Sequence, residues 1–440
     1  MQTVKMYNAS GKELGYIYIT VWDLSDIAYY AIRLSHDFNV WIPDEFDFND
    51  ICNEFLKYDE DKHKEIIEQE ESDQEKLVKI LWGLSQKEFW YQNIHLTFYD
   101  YNRQVEMLEV IPLEKNIKLD FDKACIETTG FKVSDYRLLL KVIAAMTLQN
   151  GSLTNYNLEQ YSFSNQIVTV DNINKVIKFL SADYNDIRKS PLREEIFQIK
   201  PFIKNTQGNI ISISQYAILK KMTDGPLWAI RDAYKKKQSK VFLTEYGTLF
   251  EYYVEKLLNE FLKPEDYLRI KRNDVEKLAD WIIYTDSFQI IIEQKAYLPE
   301  IGIRNKYPDY SRIEHYFSEY TKAFEQLTNT ENKYVSKLPS IKLILHYDQL
   351  HIANGIIKDY FRNTISNIDH VFFIDIHSFE WLITFFTKDK TIVDSMMNIK
   401  LKNERKESNH GYEFDQIIPE LNKEKWKLLH GKFNHILEKI

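Results

Sequence analysis

The residues best suited to chemistry lie between Leu278 and Leu298, in the run LADWIIYTDSFQIIIEQKAYL. Two β-rich segments, DWIIY and FQIIIEQKA, flank the turn-forming Thr285-Asp286-Ser287, and this predicts a β-hairpin. In the second strand three isoleucines, Ile290–Ile292, give way to Glu293, Gln294 and Lys295. Side chains alternate along a strand, so Glu293 and Lys295 share one face and Gln294 takes the other. The hairpin carries Asp280, at the start of the first strand, next to Glu293. Two carboxylates and an ammonium are thus expected to converge at one sheet edge. A surface ion pair accounts poorly for a polar triplet directly after such an apolar run. Burying these groups is costly unless they are paired or bind something.

Such a set suits the hydrolysis of a phosphodiester, which needs a water placed in line with phosphorus and a neutralised leaving oxygen. Mg²⁺ takes hard oxygen ligands, usually one or two carboxylates completed by waters and substrate phosphates. Asp280 and Glu293 are the expected carboxylate ligands, the main-chain carbonyl of Gln294 is a third donor, and Mn²⁺ is expected to substitute. One metal, or two about 4 Å apart, would lower the pKa of the attacking water and clamp the phosphate. Lys295 has two roles open to it. Neutral, it would hold or deprotonate the water; protonated, it would stabilise charge on the phosphorane.

The elements around the hairpin are legible from their periodicity. A helix is expected over 246–262, where Phe250, Val254, Leu257, Leu258 and Phe261 form a buried stripe. Glu251 sits beside that stripe and Glu255 lies one turn on. After the hairpin come a helix (309–330), a strand (341–348), a helix (351–363) and a strand (370–378). In this setting the spacing D-x12-E-Q-K resembles the signature of the PD-(D/E)xK restriction-endonuclease-like superfamily. Asp280 matches the motif aspartate, Glu293 the (D/E) and Lys295 the lysine, while Ala279 stands where the eponymous proline would be.

The resemblance covers roughly residues 241–386. It implies an αβββαβ core with a central mixed sheet, here with an extra helix before the closing strand, and a Mg²⁺-dependent endonuclease activity. It also implies that Glu251 is the helical glutamate that completes the metal site. Lys322 and Gln326, one turn apart on the next helix, take the place where this superfamily carries substrate contacts. A nuclease of this type fused to an unrelated domain implies an effector of bacterial restriction or anti-phage defence, with double-stranded DNA as the expected partner. RNA, or DNA ends in repair or transposition, are alternative substrates. A catalytically idle scaffold or sensor on the same fold is the rival in another class.

The rest of the chain bounds these expectations. At 440 residues, with 28% charged and 44% hydrophobic residues, it is long enough for two α/β domains. The change of texture at Pro191 and Pro201 suggests an α+β N-terminal domain over 1–190 and the nuclease-like domain over 191–440. Residues 1–110 hold 22 Asp/Glu against 10 Lys/Arg, a balance of −12, so the other 330 residues carry +3 of the total of −9. The N-terminal part is therefore acidic, suited to sensing, to a partner subunit or to homo-oligomerisation. The run RDAYKKKQSK, with Lys235, Lys236 and Lys237, is a candidate track for the nucleic-acid backbone. The charged stretch over 59–76 is read as a solvated helix face.

Strands are expected over LGYIYITVWDL, over 94–118 and over NIISIS, and helices from Ser134 and from Asp171 or Asn172. No Gly-rich phosphate loop is present. Eleven histidines without HxH or HExxH spacing disfavour a His-metal centre. Two distant cysteines, no signal-peptide pattern and no transmembrane-length apolar run lead to a cytoplasmic expectation, with no membrane partner.

Overall fold

The computed structural model describes residues 2–7, 13–35, 45–69, 72–88, 97–150, 165–192, 195–206, 208–235, 239–271, 276–298, 303–304, 306, 308–348, 353–404 and 413–417. These form a mixed α/β protein, and no helix among them is long and apolar enough to cross a membrane. The chain divides into two compact units. The first holds Met1–Ile80, Lys87–Tyr101 and Asp120–Tyr234; the second holds Leu81–Gln86, Asn102–Leu119 and Lys235–Ile440.

In the first unit β1 (Gln2–Tyr7) and β2 (Glu13–Ile19) pair antiparallel. Helix α1 (Val21–Leu34) starts at a capping box in which Thr20 and Asp23 exchange side-chain-to-backbone bonds. The charged stretch lies mainly on α2 (Glu45–Gln69), where Lys64 pairs with Glu60 and Asp61 on an exposed face. Helix α3 (Asp73–Glu88) and helix α4 (Thr97–Val105) both run across the division between units. Beyond them lie α5 (Phe121–Thr129), α6 (Val133–Asn150) and α7 (Val170–Phe179), the last capped by Thr169, two residues before the expected Asp171. Cys52 and Cys125 are buried and are not joined in a disulfide.

The described part of 94–118 is helical, not a pair of strands. Helix α4 continues through a π-helical turn, Glu106–Val110, into Ile111–Glu114. Its β-favouring residues are overridden by packing: Arg103, Gln104, Met107, Leu108 and Ile111 are buried at helical spacing, which no strand could satisfy.

The units divide at Tyr234/Lys235 rather than at 190/191. The prolines mark a change inside the first unit. There β3 (Ser181–Asp183), followed by α8 (Tyr184–Lys189), pairs parallel with β4 (Phe202–Lys204), so one sheet ties both sides of residue 191 together. Strand β5 (Ile210–Ser212), the expected NIISIS strand, completes that sheet antiparallel to β4. The unit ends at Tyr234, in the last turn of α9 (Gln215–Lys235).

The second unit is built on a five-stranded sheet of order β10-β9-β8-β7-β6. Helix α10 (Ser239–Phe261) leads into an antiparallel meander of β6 (Tyr267–Arg269), β7 (Trp281–Tyr284) and β8 (Gln289–Lys295). Helices α11 (Tyr310–Ser318) and α12 (Thr321–Lys333) divide the single helix expected over 309–330. Strand β9 (Ser340–His346) then lies parallel to β8, and β10 (Val371–Asp375) parallel to β9, with α13 (Ala353–Phe361) between them. Strand β10 stops three residues early because the Asp375 side chain accepts the Ser378 N–H at 2.6 Å and caps α14 (Ile376–Lys388), which α15 (Lys390–Glu404) follows.

Charge is buried in this core. Arg103 grips Glu380 of α14 through Nε at 2.7 Å and a second guanidinium nitrogen at 2.9 Å, and both side chains are 3% exposed. Tyr253 donates its hydroxyl to the same carboxylate at 2.7 Å, and burial pushes its pKa upward.

One turn of α3 also belongs to this unit. Trp82 is fully buried, donates its indole N–H to the Ile303 carbonyl at 3.0 Å and packs on Tyr316 and Phe317. The helix approaches so closely that a Cβ at Gly83 would lie 2.0 Å from the Lys306 carbonyl oxygen. Gly83→Ala is therefore expected to lower stability by about 1–3 kcal/mol through forced separation of the two backbones. Thermal denaturation measures this, and an unchanged melting temperature would place α3 away from Lys306.

Candidate active site

The β7–β8 hairpin forms where its residues predict it. Thr285 closes the turn, its hydroxyl accepting the Phe288 N–H at 2.9 Å. Trp281 pairs with Ile292 and Ile282 with Ile291, and Ile290–Ile292 are fully buried. One step beyond the last pair, the Asp280 N–H donates to the Ile292 carbonyl at 3.0 Å. The Asp280 carboxylate in turn accepts the Gln294 N–H at 2.9 Å through Oδ2. This bond sets Asp280 against the Glu293–Gln294 peptide, as the spacing required.

Lys295 donates from Nζ to Glu293 Oε1 at 2.6 Å and to Gln326 Oε1 at 3.1 Å. Exposure is graded across the set: Glu293 is 3% and Asp280 7% exposed, whereas the Lys295 side chain is 25% exposed. The lysine is the member that meets solvent. The Gln294 side chain takes the other sheet face, as alternation demands, where its Oε1 accepts the Trp281 indole N–H at 3.1 Å.

Helix α12 supplies a clamp that sequence reasoning missed. Gln326 donates to the Leu278 carbonyl at 3.1 Å, Asn329 to the Lys277 carbonyl at 3.2 Å, and Thr330 accepts the Ala279 N–H at 2.7 Å. Three side chains from one helix thus hold the three residues that lead into Asp280. Gln326 also reaches Lys295, so one amide fixes both ends of the constellation. The available signal was the spacing of Gln326 and Thr330, four residues apart on one helix face.

Glu251 has its ion-pair partner on β6. Its Oε1 accepts from Arg269 at 2.9 Å, and Arg269 also pairs with Glu255 and lies over the Trp281 ring. Arg269 and Trp281 are register partners, and the pleat sets them on the face opposite Glu293 and Lys295. Among the described residues no three or more His, Cys, Asp or Glu side chains gather closely enough to hold a metal ion. Among the described residues the hairpin edge carries the carboxylates of Asp280 and Glu293. That donor set fits Mg²⁺, which binds one or two carboxylates and keeps several waters.

Lys322 is exposed one turn before Gln326 on α12. Lys235 is exposed at the end of α9, and Lys236 and Lys237 lie outside the described residues.

The chain matches no protein-family model, no curated protein and no solved structure.

Proposed function

We propose that the second unit is a divalent-cation-dependent nuclease of the PD-(D/E)xK type that hydrolyses phosphodiester bonds, with DNA as its substrate. The observation that carries this reading is the Asp280 carboxylate held against the Glu293–Gln294 peptide with Lys295 beside it. The order of helix, three-stranded meander, helix and parallel strand around that edge supports it. In this reading Asp280 and Glu293 hold the cation. When bound, Mg²⁺ supplies the charge that neutralises the phosphate and acidifies the attacking water. Lys295, the solvent-facing member, orients that water or stabilises the charge gained by the phosphate oxygens. Lys322 and, separately, the basic run Lys235, Lys236 and Lys237 are the candidate contacts to the nucleic-acid backbone. Service as an effector of bacterial restriction or anti-phage defence is part of the same proposal.

A second reading is favoured by one observation. The Glu293–Lys295 pair is buried on its carboxylate side and already neutralised within itself, as an idle scaffold would have it. Incubation of the full chain with plasmid, linear and single-stranded DNA and with RNA separates the two. Cleavage that needs Mg²⁺ or Mn²⁺ and stops with EDTA is the nuclease outcome. Intact nucleic acid in every arm, with no Mn²⁺ binding by calorimetry, is the scaffold outcome. Cleavage of RNA alone would keep the chemistry and change the substrate.

The α12 clamp adds a more selective test. Gln326→Leu removes the acceptor for Lys295 and the donor to the Leu278 carbonyl while keeping the volume similar. Cleavage or metal affinity is expected to fall about 10- to 100-fold, as it does when supporting hydrogen bonds of a metal site are removed. Wild-type values of both would reduce Gln326 to a surface residue of the helix.

A further inference from the structure

We propose that His346 is a positioning residue for Lys295, its Nε2 accepting the ammonium's hydrogen bond once a divalent cation takes the Glu293 carboxylate. The inference rests on the metal-dependent reading above and concerns a residue outside the hairpin.

In the parallel pairing of β8 with β9, the register partner of Lys295 is His346, and that of Glu293 is Ile344. Register partners project from the same face of a sheet, and neighbouring strands lie only about 4.8 Å apart. The shared face is the one under α12. The His346 ring lies 6.3 Å from that of Phe373, Tyr320 packs on Phe373 at 5.2 Å, and Gln326 reaches Lys295 from the same layer. Imidazole and ammonium therefore stand side by side, within the span of a lysine side chain.

The imidazole is fixed in one form. Nδ1 lies 2.6 Å from the Asp348 carbonyl oxygen, which can only accept, so Nδ1 carries the proton and Nε2 the lone pair. Burial pushes the pKa of the ring down to about 4, so it is a neutral acceptor at neutral pH. His346 is 2% exposed, and among the described residues its Nε2 has no hydrogen-bond partner. A buried acceptor left unmatched is costly, and the cost is removed if a donor arrives during function.

Lys295 is that donor. A lysine ammonium has three N–H groups, and in this structure it gives one to Glu293 and one to Gln326. A cation on Glu293 competes with the ammonium for the carboxylate and repels it as a like charge. The neutral acceptor on the adjacent strand lets Lys295 yield the carboxylate without leaving the site. No proton changes hands; one hydrogen bond is exchanged for another.

The test follows the ¹⁵N resonance of His346 Nε2 in the full chain as Mg²⁺ is added without nucleic acid, with calorimetry recording binding. Mg²⁺ should move the resonance upfield, the direction of a newly accepted hydrogen bond, and Lys295→Met should abolish the movement. If Mg²⁺ binds and the resonance stays still, His346 has no such role. An equal shift in Lys295→Met means that the cation itself, not the ammonium, reaches the ring, and this also overturns the proposal. Failure of Mg²⁺ to bind removes the metal-dependent reading and this inference with it. In cleavage assays His346→Phe should lose about 10- to 100-fold, and His346→Gln, which keeps an acceptor, should recover to within a few-fold. Equal losses in both, with both folded, would mark His346 as a packing residue.

Discussion

Lys295→Ala is expected to lower cleavage by about 10²- to 10³-fold while nucleic-acid affinity stays within a few-fold of wild type. The lysine belongs to the edge at which the phosphate would react, and a group used at the transition state contributes to rate rather than to ground-state binding. The same change leaves Glu293, 3% exposed, without the ammonium that now lies 2.6 Å from it. Losing one partner of a buried pair costs about 3–5 kcal/mol, and the quarter-exposed Lys295 side chain reduces that figure. Without metal the variant should therefore melt below wild type. If Asp280 and Glu293 hold Mg²⁺ as proposed, the cation would supply the missing positive charge and should raise the melting temperature of the variant by more than that of wild type. Thermal shift with and without Mg²⁺ separates lost chemistry from lost folding. A folded Lys295→Ala protein with undiminished cleavage would remove the lysine from the reaction. One that retains a cellular phenotype without cleavage would favour the scaffold.

Arg103→Met should destabilise the second unit by about 3–5 kcal/mol, more than Gly83→Ala does. The guanidinium makes two short bonds to Glu380, and both partners are sealed from water. Removing it strands a carboxylate inside the layer formed by α14, with the Tyr253 hydroxyl still donating to it. The double variant Arg103→Met, Glu380→Met should recover much of the stability, because replacing a buried pair by apolar side chains is often close to neutral. Urea denaturation of the single and double variants gives both numbers. A single variant as stable as wild type would show that the pair contributes nothing net. A double variant as unstable as the single one would assign the loss to packing rather than to charge.

Much of the second unit is legible in the sequence. The alternation of DWIIY and FQIIIEQKA around Thr285-Asp286-Ser287 specifies a hairpin locally, because pleat and turn chemistry act over a few neighbouring residues. The abrupt step from Ile290–Ile292 to Glu293, Gln294 and Lys295 marks the site by the cost of burying charge. The stripe of α10 and the apolar runs of β9 and β10 follow from the same periodicities. Strand β6, only three residues long, escapes notice because so short a segment carries no period to read. Residues 97–114 read wrongly as strand because single-residue β preference is weak against tertiary packing. The pattern that decides, burial at helical spacing, depends on what surrounds the helix.

Other features depend on contacts between residues far apart in the chain. The sequence determined by itself that Asp280, Glu293 and Lys295 share one hairpin edge, since one short turn carries all three. Tertiary structure alone decided that Glu251 pairs with Arg269 of β6 and that α12 clamps the approach to Asp280. It alone decided that Leu81–Gln86 and Asn102–Leu119 join the second unit and that His346 is the neighbour of Lys295. The physical reason is the range of the information. A hairpin's register is set by its turn and its side-chain alternation, both local. The pairing of β8 with β9 closes a loop of more than forty residues, and its register is fixed only when both faces of the sheet are packed.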